Sequence, residues 1–265
     1  MDFSVKDFNV RLRTIKIWEA AIAIFVSLFL TILVCNFLLI TNDQLPSIIF
    51  DLFIMIFFVF ALLGTRGFKK DLDEVLSPLS IFRIVLLCVI YSFFEIVLLN
   101  FIPLTSVYLS SSGYNALGAS SGFNIVTIVL EFILTVFIAP IAEELLFRAV
   151  LFNRLKIRRG VYFGLIVSSL IFGAGHFYGD NPLMHVVTAT IFGMFMCALY
   201  LKTDNIMMCM GVHVLSNFGV YFLQTGILDF LLSIPDLFPL FGLLFLLSLI
   251  FVPAYIIYYA NKFST

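Results

Sequence analysis

Apolar residues run along this chain in long blocks, without the alternation of a half-buried strand or the narrow stripe of a soluble helix. The blocks lie near 17–40, 46–64, 81–103, 123–155, 161–178, 183–201, 206–225 and 237–259. Each is close to the roughly 20 residues a helix needs to cross a bilayer core. The pattern predicts an all-α, polytopic membrane helix bundle of about eight transmembrane helices. The segments between the blocks alternate in character. Those at 41–45, 105–122, 179–182 and 226–236 hold no Lys or Arg, whereas all 15 basic residues fall at the amino end, near 66–83, near 148–159, at Lys202 or at Lys262. An excess of Lys and Arg marks cytoplasmic loops, so both termini are expected in the cytoplasm and the basic-free loops outside.

Composition sharpens the picture. Of 265 residues, 62% are hydrophobic and 12% charged, with a mean hydropathy of +1.15, against about 45–50% and 25% in soluble domains. A soluble globule is excluded, and the lipid bilayer is the expected surrounding. Lys and Arg number 15 against 16 Asp and Glu, which leaves no basic surplus to neutralise a phosphate backbone and excludes nucleic acid as a partner. The first apolar block is too long for a signal-peptide core and reads as a retained span. Cys35, Cys88, Cys197 and Cys209 all lie within apolar blocks with no CxxC pattern; they read as small hydrophobes without redox or metal chemistry. Three sections follow: residues 1–122, a three-helix membrane section ending in a Ser- and Gly-rich external loop; residues 123–225, where ionisable residues collect inside apolar sequence; and residues 226–265, a last transmembrane helix and tail.

Charged side chains within a span are costly, about 2.5–3.5 kcal/mol each on insertion scales, and so are functional candidates. Glu19, Asp51, Glu95 and Glu131 are single acids, expected to be interfacial, protonated or bonded to a neighbouring helix. The segment from Pro140, PIAEELLFRAVLFNRL, differs. Read as a helix starting at that proline, it puts Glu144 and Arg148 four apart on one face as an ion pair and turns Glu143 away, free for chemistry. Further on, FGAGH places His176 four residues after Phe172, beside Gly173, Ala174 and Gly175, small residues that allow close helix approach. HVLSN then sets His213 and Asn217 on one face of a later helix. Helical rise puts Glu143 about 18 Å, His176 about 24 Å, Asn217 about 16 Å and His213 about 10 Å from the cytoplasmic ends of their helices, depths that permit one shared site. His185 reads as interfacial.

Two hydrolytic chemistries use such a set. In one, His176, His213 and Glu143 or Glu144 hold zinc while a second carboxylate takes a proton from bound water. In the other, Glu143 and His176 polarise water directly, and His213 with Asn217 donates to the oxyanion. Asn is a poor zinc ligand and a good neutral donor, which favours the second, and no HExxH is present.

Together EELLFR, FGAGH and HVLSN match, in order, the EExxxR, FxxxH and HxxxN motifs of the CAAX protease and bacteriocin-processing family, which the chain resembles over about residues 123–225. That resemblance implies an intramembrane endopeptidase, similar to the enzyme that trims prenylated CAAX proteins and to relatives of lysostaphin resistance protein A. It implies that Glu143 and His176 activate water, that His213 and Asn217 stabilise the oxyanion, and that Glu144, Arg148 and Phe172 support them. Members are described both as metalloproteases and as glutamate proteases, and bacterial members serve peptide pheromone maturation and bacteriocin immunity. The expected substrate is a membrane-associated peptide or protein, and the expected location a bacterial cell membrane. Two rivals use the same residues: a proton-coupled transporter or channel, for which no inverted repeat is found, and a catalytically silent scaffold.

Overall fold

The computed structural model describes residues 1–42, 44–101, 125–177, 182–222, 234 and 238–264. They form ten helices in chain order: α1 (Phe8–Thr14), α2 (Ile17–Phe37), α3 (Leu45–Leu62), α4 (Phe68–Val75), α5 (Pro78–Phe101), α6 (Ile125–Arg159), α7 (Val161–Ala174), α8 (Pro182–Thr203), α9 (Ile206–Phe222) and α10 (Phe238–Lys262). Among the described residues the sole β-type pairing is an isolated bridge between Asp7 and Arg66. The chain is a helical multi-pass membrane protein. Among the described residues six helices are long and apolar enough to cross a membrane: α2, α3, α5, α6, α8 and α10. The other two expected spans are the shorter apolar helices α7 and α9; they carry the histidine motifs. Most of the segments expected as loops at 105–122, 179–182 and 226–236, and the section boundaries at 122 and 225, lie outside the described residues.

Packing explains which helices matter. In α8, 61% of the apolar window is buried inside the protein, against 22–33% in the other five long helices, so α8 is the axis of the bundle and the rest give their outer faces to lipid. Tyr91 of α5 packs on Phe195 and Phe192 of α8 at 5.1 and 4.9 Å and donates its hydroxyl to Thr188 O at 3.2 Å. Helix α7 lies tight against α8. A Cβ on Gly173 would collide with Thr190 and come within 2.7 Å of Val186 O, and one on Gly193 within 3.0 Å of Ser169. Small residues let two backbones approach closely where lipid supplies no hydrophobic drive for association. Gly160, at φ +90°, makes the sharp reversal between α6 and α7 that only glycine adopts without strain. The buried cysteines behave as small packing groups: Cys88 donates to Val212 O at 3.3 Å, and Cys197 lies 3.5 Å from Ser168 Oγ.

Short helices α1 and α4, absent from the sequence expectation, gather the basic segments at one end of the bundle. Asn9 donates to Asp71 at 2.6 Å, Arg13 pairs with Asp204, Arg154 Nε donates to Ile15 O at 2.7 Å and Asn205 donates to Asp71 O at 3.2 Å. Arg11, buried, donates to the carbonyls of Val5, Ala61, Leu63 and Phe3 at 2.7, 3.3, 2.7 and 2.9 Å.

Candidate active site

Helix α6 brings three charged side chains into the bundle. The expectation that it starts at Pro140 is corrected: the helix runs unbroken from Ile125, with the proline inside it. A proline in a helix interior lacks an N–H and crowds the preceding turn. Here that turn, Leu134–Ile138, is wound as a π-helix, with the Ala139 N–H reaching back five residues to Leu134 O. The wider turn admits the ring without breaking the axis. After an ordinary turn at Ala139–Glu143, the helix opens again over Glu144–Phe152.

The adjacent acids meet opposite surroundings. Glu144 is fully enclosed; its Oε1 lies 3.1 Å from Arg148 Nη1 and accepts the Nδ1–H of His213 at 2.8 Å. The expected Glu144–Arg148 pair is therefore present, with His213 as a third member. Glu143 keeps 26% of its side chain accessible, and its Oε2 lies 3.6 Å from Nε2 of the same imidazole. His213 thus stands between the two acids.

Phe172 joins the remaining motif. The Arg148 guanidinium lies over its ring, 4.5 Å from the centroid, and the rings of His176 and His213 lie 4.6 and 6.2 Å from it. Helix α7 ends at Ala174, so His176 sits in the turn beyond, where its Nδ1 is 2.9 Å from Phe172 O. A carbonyl and an arginine-paired carboxylate are both acceptors, so each histidine donates from Nδ1. Asn217, one turn past His213, donates Nδ2–H to Thr135 O in the first π turn at 2.8 Å.

The structure therefore brings Glu143, Glu144, Arg148, Phe172, His176 and His213 into one cluster, and ties Asn217 to α6 one turn away. Phe192, 4.7 Å from the His213 ring, and Thr135 also belong to it. No spacing signal marks either residue in the sequence. Asp51, read from the sequence as a single acid that is interfacial, protonated or bonded to a neighbouring helix, lies on α3, which packs on the Ala139–Glu143 turn, and falls within electrostatic reach of Glu143. Glu19 accepts the Lys16 N–H at 2.8 Å at the start of α2. Glu131 is exposed and Glu95 partly buried. His185, near the start of α8, lies within electrostatic reach of His176. As a zinc set the residues do not fit. Glu144 is spent on Arg148 and His213, and among the described residues no three His, Cys, Asp or Glu side chains converge so as to hold a metal ion.

Comparison with known proteins points to the same helices. A Bacillus subtilis (strain 168) protein described as "Putative membrane peptidase YdiL" is 30% identical over 95 residues, 36% of this chain. The chain covers 37% of the length of that relative. No solved structure matches. The family described as type II CAAX prenyl endopeptidase Rce1-like matches residues 125–219, from the first residue of α6 into α9, the stretch that carries all three motifs.

Proposed function

We propose that this chain is an intramembrane peptidase that hydrolyses a peptide bond with water activated by Glu143 and His176. The observation that carries the reading is the unequal state of two neighbouring acids. Glu144 is consumed by Arg148 and His213, while Glu143 remains accessible beside the Nε2 of a histidine that donates from Nδ1. The Rce1-like match over residues 125–219 supports the same reaction class.

In this reading the Glu143 carboxylate takes a proton from water while His176 Nε2 holds the same water. The oxygen adds to the peptide carbonyl carbon, and the carbonyl electrons move onto its oxygen. His213, carrying a second proton taken from solvent before the substrate binds and kept through the turnover, donates Nε2–H to that oxyanion, and Asn217 offers the amide N–H not given to Thr135. Glu143 then returns its proton to the departing amine as the C–N bond breaks, leaving a carboxylic acid and an amine. Glu144 and Arg148 hold His213 in place. The substrate is a membrane-associated or apolar peptide reaching the site between helices in a bacterial cell membrane, with pheromone maturation or bacteriocin immunity as the cellular setting.

The test compares peptides from membranes carrying the parent protein and Glu143→Gln, followed by cleavage of the accumulated precursor with detergent-purified protein. Loss of general-base catalysis lowers the rate by about 10³-fold with the fold intact. Undiminished cleavage by Glu143→Gln, or no peptide that differs between the two membranes, refutes the peptidase reading.

A further inference from the structure

The first π turn of α6 has one carbonyl that its own helix cannot satisfy. In this winding the Leu134 carbonyl takes the N–H of Ala139, and by the same five-residue step the Thr135 carbonyl would take the N–H of residue 140. Residue 140 is proline and has none. The vacated acceptor receives instead the side-chain amide of Asn217 from α9, at 2.8 Å. A backbone carbonyl left without a donor within a membrane-spanning helix costs free energy, so the helix–helix bond has a specific energetic reason to form.

We propose that Pro140 and Thr135 form a built-in acceptor for Asn217: the proline withholds the N–H that would occupy the Thr135 carbonyl, and the freed carbonyl orients the Asn217 amide and fixes α9 against the turn that carries Glu143. Pro140 and Thr135 are positioning residues. They act through Asn217 and through the register of His213, one turn earlier on the same helix, against Glu143. The acceptor also settles which end of the amide faces α6, because only the N–H side can bond a carbonyl. This deepens the peptidase reading of the same site, and only its kinetic arm rests on that reading.

The experiment is a four-member cycle of parent, Pro140→Ala, Asn217→Ala and the double variant, purified in detergent, with melting temperature and peptide cleavage both measured. An alanine at 140 restores an N–H that can occupy the carbonyl. Asn217→Ala is expected to lower the melting temperature in the parent and to change it by less than half as much in the Pro140→Ala background. Equal drops in both backgrounds overturn the proposal, whether or not any peptide is cleaved. In the kinetic arm, Pro140→Ala lowers kcat by about 10-fold or more with KM within about twofold, the signature of lost transition-state positioning; an unchanged kcat overturns the positioning role. Should Pro140→Ala fail to fold, Asn217→Asp decides, because it sets an acceptor against an acceptor. It is expected to melt below Asn217→Ala, and a melting temperature at or above that of Asn217→Ala overturns the proposal.

Discussion

Two arginines are almost fully enclosed in this protein, at 1% exposure each, and they are held in different ways. Arg11, at the basic end of the bundle, spends its guanidinium on four backbone carbonyls from the amino-terminal segment and the end of α3. Arg148, in α6, has one carboxylate at 3.1 Å and the face of Phe172, and its nitrogens make no hydrogen bond to the described residues. The first arrangement is saturated and ties chain segments together. The second is a charge pairing: it sets a cation against the carboxylate that accepts the His213 Nδ1–H. A cation bonded to neutral carbonyls serves architecture, whereas a cation set against an acid that also holds a histidine controls where protons go.

That contrast can be broken from either side. The largest effect is expected from Arg148→Met, which leaves the enclosed Glu144 without its counter-charge. Breaking a buried pair from one side costs about 3–5 kcal/mol, read as a fall in melting temperature, and cleavage should fall with it. Arg11→Met strands carbonyls instead and should cost roughly 2–3 kcal/mol, with kcat of the folded fraction retained. A drop in kcat matching the drop in Arg148→Met would erase the distinction between the two sites. The double variant Glu144→Gln/Arg148→Met removes both charges and keeps an acceptor for His213. Its stability should return to within about 1 kcal/mol of the parent, since neutral replacement of buried pairs is often tolerated, while cleavage remains reduced. Full recovery of cleavage would show that the charge itself is dispensable. The smallest effect is expected from exhaustive chelation, which should leave cleavage and melting temperature unchanged; loss of activity restored by added zinc would return a metal to the site.

Much of this was legible in the chain. The apolar blocks mark the six long and two shorter apolar helices of the described residues because a lipid-facing helix needs a continuous run, and that signal survives uncertain ends. The Glu144–Arg148 pair followed from four-residue spacing, and Gly173 was readable as a close-approach residue. Other features left no trace. Helices α1 and α4 are short and lie at the end of the bundle, so their apolar faces never build a run. Pro140 reads as a helix start because prolines favour first turns; the helix continues through it on a widened turn whose Thr135 carbonyl meets Asn217, from a helix far along the chain. Asp51 has no sequence relation to Glu143 at all, since only the packing of α3 on α6 brings them near.

The fit at Gly173 also restricts motion. With no space for even a methyl group between α7 and α8, neither helix can slide or roll past the other without steric collision. That wall, which carries His176, is keyed shut. Any movement that opens a path to Glu143 is therefore left to helices other than this pair, so a covalent clamp between α7 and α8 would go unnoticed.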